Sequence, residues 1–177
     1  PDKSWLASIF VAMFLHGGWF HLLGNMLFLW VFGNNVEDRL GYVVYPLFYV
    51  LGGLAAAGLQ LAFDANSTIP SLGASGAIGA VLGAYLVLFP GARVVTLIFF
   101  FFITWVELPA SVVLGVWFVI QFFSGVGQLG VEVGGGVAYW AHVGGFAVGA
   151  LVAWLFYRRR GGVPPPVHRL PDRPHSF

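Results

Sequence analysis

LGASGAIGAV, residues 72–81, opens the third of five long apolar stretches and decides how the chain is read. Glycine and alanine dominate it, around a single serine, Ser75. In a helix, Ser75, Gly79 and Gly83 fall on one stripe at i, i+4 and i+8. A second stripe, His142, Gly145 and Gly149, recurs in the fifth apolar stretch at i, i+3 and i+7. Small residues at such spacing let two helix backbones approach closely inside a membrane. The pattern predicts that the third and fifth helices pack together, with one reactive residue, Ser75 or His142, at the outer end of each stripe.

Composition sets the solvent. The 177 residues are 59% hydrophobic and only 8% charged, against about 25% charged in soluble domains. Too few charges exist to cover a water-facing surface, so the fold class predicted is an all-α polytopic membrane protein. The chain has no cysteine, which excludes thiol nucleophiles, disulfides and thiolate metal sites. Spans are predicted at 5–32, 42–63, 73–89, 108–123 and 139–157, against the ~20 residues a crossing needs, the first being longer and interrupted by His16, His21 and Asn25. The β-branched and aromatic run 94–104 is read as interfacial. A glycine-rich loop covers 124–136, and the basic, Pro-rich residues 158–177 read as a disordered tail after a 1–157 membrane domain. If five spans alternate, Arg39, Arg93, Arg158, Arg159, Arg160, Arg169 and Arg173 share one side and Lys3 lies opposite. That bias makes the arginine side cytoplasmic.

Polar groups within spans are costly and point to function. Here they are His16, His21, Asn25, Ser75 and His142, with Glu107 and Gln121 as lesser candidates. Under the alternation above, Ser75 and His142 begin their spans at the outer face, while His21 and Asn25 (i, i+4) share a face in the outer half of the first. A serine becomes a nucleophile when a base takes its proton, and a histidine suits that task. The oxyanion formed by such an attack needs donors. His21, Asn25 and the unpaired amides at the start of the third helix qualify. Singly, each residue has a plainer reading: packing or an N-cap for Ser75, interhelical bonding for His142 and Asn25. Matching depth and the two glycine stripes favour the catalytic one.

HGGWFHLLGNM (16–26), GASGAIG (73–79) and AHVGGFAVG (141–149) resemble the signature segments of rhomboid intramembrane serine proteases, in order and in spacing. EDRLG after the first span and PGARV after the third match as well, and the resemblance runs over roughly residues 5–157. It implies a rhomboid-like helical bundle with a Ser75–His142 dyad and no third acid. It further implies oxyanion stabilisation by His21 and Asn25 with the Gly73–Ser75 segment, a structural role for His16, and packing roles for Gly145 and Gly149. The implied activity is cleavage of transmembrane segments of other membrane proteins near the outer leaflet, without cofactor, in a plasma or inner membrane. The family core has six spans; the one not counted here would precede Pro1, and the family's Trp-Arg motif reads Ala7 and Ser8. Gly79 stands where some members carry an aromatic residue against the histidine. That leaves open what orients His142, with Glu107 and Glu132 the candidates by type.

Glu107 itself reads as an interfacial carboxylate near a helix start. The loop 124–138, with its glycines, is expected to form a cap that moves against 64–72 when substrate enters. No metal-ligand spacing, phosphate-binding loop or nucleic-acid patch appears, so the partners expected are transmembrane substrates and the lipid bilayer. Two rivals remain: a rhomboid-like protein that binds transmembrane helices without cutting them, and a transporter using His21, Asn25 and His142 as a polar path.

Overall fold

The structure, a computed structural model, describes residues 5–63, 73–99, 103–129 and 137–159. Helix α5 (Ser75–Leu88) lies at its centre, with every residue from Gly76 to Tyr85 buried. A helix that is apolar all round belongs inside a bundle rather than at its edge, and the small side chains of α5 let neighbours close in from several directions. Helix α4 (Val44–Phe63) packs along one flank and α7 (Tyr139–Arg159) along another; α6 (Ala110–Gln128) lies against α7.

The α5–α7 contact is the most extensive pairing. The two glycine stripes meet there, backbone against backbone. A Cβ on Gly79 would lie 2.9 Å from the carbonyl oxygen of His142, and one on Gly83 would overlap that of Phe146. From the other side, a Cβ on Gly145 would overlap the carbonyl of Gly76, and one on Gly149 that of Ala80. No side chain fits these four positions unless the helices separate. The start of α7 is tied to α4 as well, because the Ala141 amide donates to Gln60 Oε1 at 3.1 Å.

The first apolar stretch is not one helix. Helix α1 (Trp5–Ala12) stops, a non-helical link carries Gly17 and Gly18, and α2 (Trp19–Phe28) begins afresh. Through a π-helical turn (Leu29–Gly33), α2 runs directly into α3 (Asn34–Leu40). The long helix is therefore 19–40 rather than the expected 5–32, and the polar NNVEDRL segment is its last part. Met13 fills the break: it is buried against Gly53 of α4, where any side chain would collide with it.

The fold is mostly helical, as expected, but one segment departs from an all-α fold. Residues 93–109 form an antiparallel hairpin, β1 (Arg93–Phe99) with β2 (Ile103–Pro109), in the register Val95↔Glu107 and Leu97↔Trp105. β-branched and aromatic residues fit a pleated ladder better than a helix. The alternation of exposed and half-buried residues along β2 is that of a strand with one covered face. Helix α6 then starts at Ala110, after Pro109, and continues to Gln128, beyond the expected end at 123. The first part of the glycine-rich loop is thus helical. Residues 130–136, the segment 64–72 and the tail 160–177 lie outside the described residues, as do the cap reading of the first two and the disorder expected of the third.

Among the described residues three helices, Val44–Phe63, Ala110–Gln128 and Tyr139–Phe156, are long and apolar enough to cross a membrane, and α5 is a shorter apolar helix. Large apolar side chains cover the outside: Phe20 is 94% exposed, Trp19 78% and Trp30 73%. Such a surface suits lipid and not water. At one end of the bundle the guanidinium of Arg39, on the last turn of α3, sits 5.1 Å from the ring of Phe89 just past α5. These two helix ends therefore share a side, as the arginine distribution requires.

Candidate active site

At the opposite end, the starts of α2, α5 and α7 surround a cavity of about 520 Å³. Its wall includes Ser75, His142, His21 and Asn25, four of the residues singled out in the sequence, together with Phe20, Phe28, Ile78, Leu82 and Trp117. An apolar pocket with a few convergent polar groups is the usual form of a binding or catalytic site.

Ser75 is the first residue of α5 and half-buried. Gly73, two residues before it, has φ +118, a conformation that side chains other than glycine's rarely allow. The turn is pinned by a 2.9 Å bond from the Gly73 amide to the Ala12 carbonyl, across to α1. Gly73 also lies against the other two polar residues. A Cβ there would come within 2.8 Å of His21 Cε1, 2.9 Å of His21 Nε2 and 3.6 Å of Asn25 Nδ2. The approach to Ser75 is therefore non-helical at Gly73; residues 71 and 72 lie outside the described residues.

His21 and Asn25 occupy the first two turns of α2, one turn apart and facing the cavity. The Gly17 amide donates to His21 Nδ1 at 3.3 Å, so the proton of the neutral ring resides on Nε2, the nitrogen nearest Gly73. Asn25 is 93% buried, and among the described residues its Nδ2 has no hydrogen-bond partner. Two donors thus point at the turn before Ser75. His16 sits in the link between α1 and α2, edge-on to His21 with ring centroids 5.3 Å apart, and outside the cavity wall.

His142 lies in the first turn of α7, buried, with Nδ1 2.7 Å from Gln121 Oε1 on α6. Trp117, one turn before Gln121, flanks the ring at 5.7 Å between centroids. Sequence reasoning counts Gln121 among the lesser polar candidates but does not pair it with His142. Glu107 is elsewhere, on β2, where its carboxylate meets Arg93 Nε at 3.6 Å and its carbonyl accepts from Arg93 Nη2 at 2.7 Å. Glu132 is not among the described residues. The only signal available for Gln121 was a polar residue in an apolar span.

A model of the Rhomboid domain matches residues 3–159. The chain belongs to the rhomboid family. Rhomboid protein 1, mitochondrial, of Saccharomyces cerevisiae is 31% identical over 154 residues, covering 83% of this chain and 41% of that protein. RHOMBOID-like protein 4 of Arabidopsis thaliana is 33% identical over 158 residues, covering 89% of this chain and 35% of that protein. Presenilin-associated rhomboid-like protein A, mitochondrial, of Danio rerio is 31% identical over a shorter 94 residues, 52% of this chain and 24% of that protein. The chain thus spans well under half the length of these relatives. With its apolar helices, this rhomboid is an integral, multi-pass membrane protein.

Proposed function

We propose that this rhomboid is an intramembrane serine endopeptidase that cleaves transmembrane segments of membrane proteins near the outer leaflet. The observation that carries the reading is the shared cavity. Ser75, His142, His21 and Asn25 come from three different helices and line one space. Ser75 Oγ attacks the scissile carbonyl carbon as His142 Nε2 takes the hydroxyl proton. The tetrahedral oxyanion accepts hydrogen bonds from the Ser75 amide, His21 Nε2–H and Asn25 Nδ2. On collapse the C–N bond breaks and the leaving amine takes the proton from His142. Water then repeats the sequence on the acyl-enzyme and releases Ser75.

Five crossings are part of the same reading: 19–40, α4, α5, α6 and α7. The 14 residues of α5 rise about 21 Å, against a hydrocarbon thickness of about 30 Å. A helix of that length ending at the cytoplasmic interface starts below the outer one. Ser75 then sits within bilayer depth, and the cavity supplies the water that hydrolysis needs. The arginine bias assigns the cavity to the outer face, the extracytoplasmic side if the membrane is a plasma membrane.

The test is cleavage of a reporter transmembrane segment in proteoliposomes, with Ser75→Ala and His142→Ala as controls. Cleavage that both substitutions abolish supports the protease. Binding of the reporter without cleavage, unchanged by either substitution, favours a helix-binding rhomboid instead. Ion flux that ignores Ser75→Ala would favour a polar conduction path.

A further inference from the structure

We propose that Gln121 is the positioning residue of the active site. It accepts the Nδ1 proton of His142 and so keeps the lone pair of Nε2 turned to the cavity and Ser75. The proposal rests on the reading of Ser75 and His142 as nucleophile and base.

The chemistry of imidazole makes the orientation decisive. A neutral ring has one donor nitrogen and one acceptor nitrogen, and the bond made by one sets the role of the other. Gln121 Oε1 lies 2.7 Å from Nδ1. An amide oxygen can only accept, so Nδ1 is the protonated nitrogen and Nε2 the basic one. The ring is also held on its side. Trp117 and Gln121 are one turn apart and share a face of α6, and the Trp117 ring flanks the imidazole at 5.7 Å. Together they fix the base from a helix that carries neither the nucleophile nor the base.

A neutral amide suits this place better than the carboxylate used for the task in soluble serine proteases. An ionised acid at membrane depth is expensive unless paired. Among the described residues the cavity wall contains no carboxylate, and Glu107, the described acid nearest in sequence, faces Arg93 in the hairpin. Gln121 supplies the acceptor without the charge. Gln121 thus takes the orienting role for which Glu107 and Glu132 are candidates by type.

The test has two arms, both on the full chain in lipid bilayers. In the first, ¹⁵N-histidine NMR reads the tautomer of His142, its signals identified by their loss in His142→Ala. The expected result is protonated Nδ1 and unprotonated Nε2; protonation on Nε2 overturns the proposal. In the second arm, Gln121→Met removes the acceptor at nearly constant volume. It is expected to slow fluorophosphonate labelling of Ser75 and kcat by about 10- to 100-fold, the range that misplacing a catalytic group costs. KM for a reporter segment stays within about twofold. Gln121→Glu, which in its neutral, protonated form keeps an accepting oxygen at that position, recovers most of the rate. A folded Gln121→Met chain labelled at the wild-type rate overturns the proposal. If Gln121→Met does not fold, the wild-type tautomer decides alone. If Ser75 of the wild-type chain is not labelled at all, the protease reading falls, and with it the catalytic purpose of Gln121, while the tautomer still reports whether the bond exists.

Discussion

Gly149 on α7 rests on the carbonyl of Ala80 on α5 so closely that a single added carbon would overlap the oxygen. One turn nearer the cavity, Gly145 meets the carbonyl of Gly76 in the same way. These contacts set how near the helix that begins with Ser75 lies to the helix that carries His142. Packing of the two helices therefore sets the spacing on which the proposed chemistry depends.

Gly149→Ala is predicted to force the two helices apart. Overpacking of this kind typically costs about 1–3 kcal/mol. The expected outcome is a lower melting temperature in detergent together with loss of proteolysis. Gly58→Ala is the control, because a Cβ at Gly58 of α4 meets nothing within 4 Å. Its thermal stability and activity should match the parent's.

Gly73→Ala is predicted to fail for two separate reasons. The φ of +118 is strained for alanine, and its Cβ would press on His21. Backbone strain of this type costs on the order of 1–3 kcal/mol. The rate should fall further than stability, because His21 and the turn before Ser75 are both displaced. Parallel thermal melts and cleavage assays separate the two effects.

Asn25→Leu is predicted to divide stability from function. Its Nδ2 is buried without a partner among the described residues, a situation that costs about 1–3 kcal/mol. Replacing it with an apolar side chain should leave the melting temperature unchanged or raised. The turnover number should fall by about 10²–10³, as when one oxyanion donor is removed. Equal losses in stability and in rate would argue that Asn25 is structural glue.

Glu107→Gln is predicted to be nearly silent. The Arg93–Glu107 pair is largely exposed, with side chains 57% and 66% accessible. Exposed ion pairs contribute about 0–1 kcal/mol. Proteolysis at the parent's rate would exclude Glu107 from the chemistry, and a tenfold loss would reinstate it.

The glycine stripes were legible because they are regular and local: spacing alone puts Gly79 and Gly83, or Gly145 and Gly149, on one face. The cavity residues were legible through their rarity in an apolar chain. Three features were not. The break at 13–18 is hidden by composition, since Trp5–Ala12 and the residues after Trp19 are equally apolar; the Gly17–Gly18 pair was its mark. The hairpin's strands alternate between surroundings that are both partly apolar, which blurs the period-two signal and leaves only an interfacial run legible. The Gln121–His142 bond joins residues 21 apart on different helices. It depends on how α6 is rotated about its own axis, and spacing along the chain does not encode that.

Activation of Ser75 by His142 is tested by treating the purified chain with a fluorophosphonate and locating the adduct by peptide mass spectrometry. One phosphonylated serine, Ser75, is expected, with no adduct in the His142→Ala chain. An unmodified Ser75, or modification that persists without His142, would contradict that activation.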